Sequence, residues 1–144
     1  MFKIAGSALI ILAAVILFSQ KTFKLYFTYK FLEAISELIH KILYENSSNL
    51  PYKKLFEKLN FNADTFISDS ICNRYINTNE ISRADDFLKN LGKRDNESEI
   101  KYLEFNLNYF ENKKNDLFKK YAETQKINIL CGLASGIFIS IILI

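Results

Sequence analysis

The last third of the chain carries one uninterrupted helical pattern that changes from amphipathic to fully apolar. From Ile129 to Ile144 no residue is charged. A helix from Asp95 to Ile144 would be about 75 Å long, which is too long for the interior of a small globule. The pattern therefore predicts a helix that runs from water into a membrane. In its polar part, hydrophobic residues recur at spacings of three, four or seven and share one face: Ile100, Leu103, Leu107, Phe110, Leu117 and Tyr121.

A second apolar segment, Ile4 to Phe18, lies near the other end of the chain. A signal peptide would end in a cleavage site with two small residues separated by one position. Leu17 to Lys21 has no such small-x-small pattern, so an uncleaved anchor is the better interpretation. Both apolar segments are short of the roughly 20 residues that span a bilayer. Flanking lysines such as Lys3 and Lys126 can make up the difference by reaching toward the headgroups.

The charged residues are concentrated between the two apolar segments. Ser19 to Lys126 holds 18 of the 19 basic residues and all 16 acidic residues. Because lysines flank its two ends, the positive-inside rule places this middle part in the cytoplasm and both ends in the membrane. We therefore predict a transmembrane helix over 1–19, a cytosolic helical bundle over 20–126 and a second transmembrane helix over 127–144.

The middle part shows helical periodicity and no alternating strand pattern. Two heptad rows in Thr22 to Tyr44 predict a helix that packs against the last one, with Leu25, Leu32 and Ile39 in one row and Thr28, Ile35 and Ile42 in the next. Asn46 to Asn49 predicts a turn, and Pro51 can open a second helix whose buried residues are Leu55, Phe56 and Leu59.

Two further helices are expected before the last one. Phe66, Ile67, Ile71 and Tyr75 can face the core from a short helix within Asn60 to Asn79, which is the least regular stretch. Asn77 with Glu80 suits a capping pair for the next helix, whose buried residues would be Ile81, Ala84, Leu88 and Leu91. The predicted fold is all-α: an antiparallel cytosolic helical bundle flanked by N- and C-terminal transmembrane helices, with the long C-terminal helix continuing into the membrane.

The sequence also predicts which residues cap the helices and which small residues let the two spans pack closely. Gly92 can end a helix in the left-handed conformation, and Asp95 can cap the next one through its side-chain oxygen.

Close helix approach is favoured by small residues spaced four or seven apart, although ordinary membrane composition gives the same pattern. The candidates for this packing face are Gly132, Gly136 and Ser140 in the second span and Gly6 and Ala13 in the first.

Residues for catalysis or for a bound cofactor are not expected. His40 is the only histidine and, apart from Glu37, has no carboxylate or cysteine at a metal-ligand spacing. Asp85 and Asp86 are adjacent on a helix and diverge by about 100°, so they cannot converge on one substrate. Cys72 and Cys131 fall in different environments, which favours reduced thiols. We predict no catalytic, cofactor or metal residues, no small-molecule substrate and no nucleic-acid partner.

The C-terminal third carries the segments Leu91-Gly92-Lys93-Arg94-Asp95, a charged helix ending at Lys126, Leu130 to Gly136, and Ile141 to Ile144. In these segments the sequence resembles the stage III sporulation protein AB family. The segment Leu38 to Tyr44, followed by Leu50-Pro51, also looks like the first hairpin of that family. The chain departs from the family in having Glu99 at a usual glutamine position and in lacking tryptophan.

The resemblance implies a role in endospore formation. Members of the family are expected in the mother-cell membrane around the forespore, as scaffold components of a multi-protein channel assembly. Their cytosolic part is similar to the helical domains of secretion-platform proteins, so the implied partners are a cytosolic ATPase and other membrane subunits. A self-associating coiled-coil membrane protein, such as a sensor or division factor, is the alternative; a homo-oligomer is possible in either case, and a membrane enzyme is a third hypothesis.

The turn from Leu91 to Asp95 would lie at the end of the bundle farthest from the membrane. Asp95 and Lys126 would be roughly 47 Å apart along the last helix, so a cytosolic ATPase would meet this turn first. Lys93 and Arg94 are expected to be free of the packed face and are the candidate partner-binding residues. The alternative is a solvated turn in which Gly92 and Asp95 serve only as caps.

Overall fold

The computed structural model describes residues 2–45 and 52–143, without the side chains of 2–5, 7, 18–21, 52–53, 140 and 143. All regular structure in these residues is helical, which confirms the predicted all-α class. The expected turn at 46–49 and the helix opening at Pro51 lie outside the described residues. The helices are α1 (Phe2–Glu45), α2 (Tyr52–Lys58), α3 (Ala63–Cys72), α4 (Thr78–Lys89) and α5 (Asn96–Leu143).

The two long helices, α1 and α5, pack side by side and run antiparallel. The rings of Tyr29 and Phe118 have centroids 5.5 Å apart, and nearer the apolar end those of Tyr26 and Tyr121 are 5.6 Å apart. Residue numbers therefore decrease along α1 in the direction in which they increase along α5. The prediction that the heptad rows of the first helix face the last helix is confirmed.

The core of the bundle lies between α1 and α5 and is covered by α3 and α4. The α1 rows are buried as predicted, since Leu32, Ile35 and Ile39 are all 0% exposed. Aromatic rings join the shorter helices to this core: Phe66 stacks on Phe31, and Phe87 meets Phe110 edge to face. Burial of such apolar surface is the main source of the stability of the bundle.

Two predicted core positions are wrong, and both lie at the flank of a helix face. Ile100 is 36% exposed, and the buried row of α5 is instead formed by Glu99, Leu103, Asn106 and Phe110. Ile71 is 66% exposed. In α3 the residues that turn inward are Ile67 and Ser70, and a helix turns by about 100° per residue, so Ile71 follows on the outer flank.

The predicted capping pair of α4 is half correct. The Asn77 side chain accepts a hydrogen bond from the Asn79 N–H, which makes Asn77 the N-cap. The Asn77 N–H, which Glu80 would have bound in a capping box, donates instead to Thr28 Oγ1 on α1, at 3.0 Å. Thr28 thereby ties the start of α4 to the first helix.

A test of length and apolar character finds no single membrane-spanning helix among the described residues. One pair of segments meets the criteria when taken together. These segments are Ala8–Leu17 and Thr22–Glu45, and their axes differ by 48°.

Candidate functional site at the bundle tip

The Leu91 to Asp95 turn, called the bundle tip below, joins α4 to α5. Asp95 Oδ2 accepts the Ser98 N–H at 3.1 Å, so Asp95 caps α5. Hydrogen bonds from the Ser98 side chain and N–H lower the pKa of the Asp95 carboxyl, because they stabilise the ionised form. Gly92 has a φ of 77°, the left-handed conformation that glycine adopts most readily. It follows the actual C-cap of α4, Asn90, by two residues.

The bundle tip is folded around the buried carboxylate of Glu99, whose side chain is 1% exposed. The Gly92 N–H donates to Glu99 Oε1 at 2.9 Å. Arg94 Nη1 lies 3.7 Å from Glu99 Oε2, which compensates the charge of that oxygen without a hydrogen bond. A buried carboxylate is strongly unfavourable unless it has such partners, so Glu99 fixes the path of the chain between α4 and α5.

Arg94 is part of this packed arrangement, and the prediction that it is free of the packed face is wrong. Its guanidinium lies 3.6 Å from the centroid of the Tyr102 ring, and it donates to the Asn90 carbonyl oxygen at 2.9 Å. Both residues are exposed, but Lys93 has the weaker contacts, since its Nζ donates to Asn90 Oδ1 at 3.4 Å. Of the two candidate binding residues, Lys93 is therefore the one whose charge is available to a partner.

A second buried carboxylate, Glu80, joins α4 to α5. Tyr109 donates its hydroxyl proton to Glu80 Oε2 at 3.3 Å, and Lys113 Nζ lies 3.5 Å from Glu80 Oε1. The Arg83 guanidinium lies 5.0 Å from the centroid of the Tyr109 ring. The sequence analysis did not find this cluster. The available signal was the spacing of Tyr109 and Lys113, which puts both on one face of α5.

The glycines of the apolar end of α5 lie against α1. A β-carbon on Gly132 would stand 2.9 Å from the Val15 Cα, and one on Gly136 would stand 2.8 Å from the Ile11 Cα. A β-carbon on Gly6 would meet nothing within 4 Å. Ala13 is exposed, and the Ser140 side chain lies outside the described residues. The close approach therefore involves the α5 glycines and other positions of α1.

The remaining residues that could carry chemistry, His40 and the two cysteines, lie apart from one another in the sequence and on different helices. His40 Nε2 lies 2.9 Å from Glu111 Oε1, across the α1–α5 interface. Cys72 and Cys131 are free and exposed. Within the described residues, no group of three or more His, Cys, Asp or Glu side chains could hold a metal ion. Glu80 and Glu99, with their partners, hold helices together.

The fold and these contacts define a helical protein whose buried polar groups connect its helices. The family model of stage III sporulation protein AB matches residues 65–144, which include most of α3 and all of α4 and α5. The chain therefore belongs to the stage III sporulation protein AB family, as its resemblance predicted, and this membership implies a role in sporulation. No curated protein and no solved structure matches the chain.

Proposed function

We propose that this protein is a non-enzymatic membrane component of the mother cell–forespore channel assembly. In this proposal the apolar ends of α1 and α5 cross the mother-cell membrane around the forespore, and the bundle between them lies in the cytoplasm. The bundle serves as a scaffold that links a cytosolic ATPase to the membrane subunits of the assembly.

The observation that carries the membrane placement is the exposed apolar surface at one end of the α1–α5 pair. Leu9, Leu130 and Phe138 are each at least 66% exposed, and they lie in the two segments without charged residues, 4–18 and 129–144. Large contiguous apolar patches of this kind mark membrane or protein contacts in proteins generally. The paired rings of Tyr26 and Tyr121 lie just beyond this surface, as aromatic residues do at membrane–water interfaces.

The position of the bundle tip supports docking of the ATPase there. It lies at the opposite end of the bundle from the apolar surface, since about 47 Å of helix separate Asp95 from Lys126. In this arrangement Glu99 and Arg94 hold the tip rigid, and Lys93 presents a free positive charge. A preformed turn costs less conformational entropy on binding than a flexible one.

The scaffold function is tested by deletion of the gene and complementation. Spore counts should fall on deletion and recover with the wild-type chain. A Lys93→Glu variant should accumulate to the wild-type level, pull down less of the ATPase and restore fewer spores. Wild-type ATPase recovery with Lys93→Glu would reject the tip as the docking site, and normal sporulation without the gene would reject the function.

The membrane placement is tested separately by thiol labelling. Cysteine at Asn79, in a chain with Cys72 replaced by serine, should react with an impermeant reagent only after the cells are lysed. Equal labelling of intact and lysed cells would place the bundle outside the cytoplasm. Recovery of the chain in the supernatant after high-speed centrifugation would contradict the two membrane spans.

A further inference from the structure

The outer face of α3 and α4 carries an apolar groove, and no side chain among the described residues fills it. Ile67 and Ile81 are buried residues that line it, and Ile71 lies along it with 66% of its surface exposed. The groove has a volume of about 250 Å³, and its polar lining residues are Thr78, Ser82 and Asp85. Its size is below the roughly 300 to 1,000 Å³ of typical small-molecule sites, which favours the side chain of a partner as its occupant.

The charges that remain on the outer faces of α3 and α4 are mostly negative. Glu80 and Arg83 are directed at Tyr109 of α5 and do not contribute to this surface. Lys89 is held by Asp85 at 2.5 Å, and this hydrogen bond raises the pKa of the lysine. The other charged side chains of α3 and α4 are four carboxylates and this one ammonium group: Asp64, Asp69, Asp85, Asp86 and Lys89.

We propose that the groove between α3 and α4 binds a basic amphipathic helix of a partner protein. An apolar side chain of that helix inserts beside Ile71, and flanking lysine or arginine residues face the carboxylates of α3 and α4. Charge complementarity of this kind steers association and excludes wrong partners. The same carboxylates repel nucleic acid and anionic lipid headgroups. This surface is distinct from Lys93 at the bundle tip, and the proposal does not depend on the membrane placement.

The exposed thiol of Cys72, next to Ile71, provides a probe at the groove. Full-length protein with Cys131→Ser is labelled at Cys72 with a benzophenone maleimide and irradiated in a lysate of sporulating host cells. The captured peptides are then sequenced. We expect them to come from one partner and to carry apolar residues at helical spacing with lysine or arginine on both sides. A chain with Cys72→Ser and Asn112→Cys, labelled on the exposed face of α5, should not capture them.

Two matched variants test the role of the groove. Ile71→Asp should lower the capture yield about tenfold, because an isoleucine side chain no longer buries its surface against the partner. Ser68→Asp adds the same charge on exposed α3 surface outside the groove lining and should retain the yield. Circular dichroism should show wild-type helix content for both, since Ile71 is largely exposed. Spore counts with Ile71→Asp are a separate readout, so failure of the proposed scaffold function would not affect the capture result.

The proposal is overturned if the labelled groove captures nothing. It is also overturned if the captured peptides are acidic or uncharged, if they come from a second copy of this chain, or if the adduct is a lipid. Capture of the same peptides from Asn112→Cys at equal yield, or an unchanged yield with Ile71→Asp, would show that the groove is not the binding surface.

Discussion

Gly132 lies against Val15 so closely that a β-carbon on the glycine would stand 2.9 Å from the Val15 Cα atom. The nearest obstacle is backbone, which cannot move aside as a flexible side chain can. Backbone contact of this kind brings two helices to their closest separation. In this chain it joins the apolar ends of α1 and α5.

Gly132→Ala should destabilise the α1–α5 pair by about 1–3 kcal/mol, as expected for overpacking. The loss should occur although alanine favours helix more than glycine does. Thermal unfolding of the full-length protein in lipid nanodiscs measures it. Gly6→Ala is the matched control and should unfold at or above the wild-type temperature, because the added methyl group meets open space. Equal melting temperatures for the two variants would mean that the helices are not in contact at Gly132.

Leu103→Ala should lower the free energy of unfolding of the bundle by about 2–5 kcal/mol, because it leaves a cavity at a fully buried position. Ile100→Ala should cost less than about 1 kcal/mol, since Ile100 lies at the surface. Chemical denaturation followed by circular dichroism measures both changes. A larger loss of unfolding free energy for Ile100→Ala than for Leu103→Ala would mean that Ile100 lies on the buried face of α5, as its spacing predicted.

Arg94→Glu should destabilise the bundle by about 3 kcal/mol, because it removes the cation beside the buried Glu99 carboxylate and adds a second negative charge. Lys93→Glu should change stability by no more than about 0.5 kcal/mol. Unfolding curves of the two variants measure the difference. If Arg94→Glu were as stable as the wild type, the pairing of Arg94 with Glu99 would be absent in solution. Its cost also means that only Lys93→Glu can test partner binding without disturbing the fold.

The cap formed by Asp95 should make stability depend on pH in the acidic range. Hydrogen bonds from the side chain and N–H of Ser98 hold the folded-state pKa of this carboxyl below its unfolded value. The cap therefore contributes fully above the unfolded pKa of about 3.9, and its contribution is lost as the pH falls through the folded pKa. Asp95→Asn keeps a capping oxygen that does not titrate.

The difference in melting temperature between the wild type and Asp95→Asn should consequently stay constant from pH 7 down to the unfolded pKa of about 3.9. It should shrink as the pH is lowered further, from 4 to 2. The wild type should be the more stable form at pH 7, because a negative charge is favourable at a helix N-terminus. Asp95→Ala, which has no capping oxygen, should melt below both at neutral pH. A difference between wild type and Asp95→Asn that stays constant from pH 4 to 2 would show that the Asp95 carboxyl is not the group that titrates.

The two long helices were predictable because their apolar residues repeat regularly. Leu32 and Ile39 belong to one heptad row, and the structure buries both. Glu99 and Asn106 were not predictable, because their polarity argues for the surface and their burial depends on groups elsewhere. Glu99 needs the Gly92 N–H and Arg94, and Asn106 donates to the Tyr102 carbonyl oxygen at 2.8 Å.

The candidate site was predictable in its backbone and less so in its side chains. Asp95 as a cap and the left-handed Gly92 follow from local conformational preferences, which a single sequence carries. The contacts that hold the Arg94 side chain could not be predicted from its position in a polar turn. It depends on Tyr102 and Glu99, whose side chains approach Arg94 only after α5 has packed against the rest of the bundle.

The pairing of α1 with α5 has a consequence for biosynthesis. His40 and Glu111, which meet across that interface, are 71 positions apart in the chain. The ribosome therefore releases α1, with its continuous apolar rows, well before the helix that covers them exists. Contacts between distant parts of a chain form late and leave hydrophobic surface exposed in the meantime. The apolar rows of the nascent first helix therefore stay uncovered by their partner until the final helix emerges.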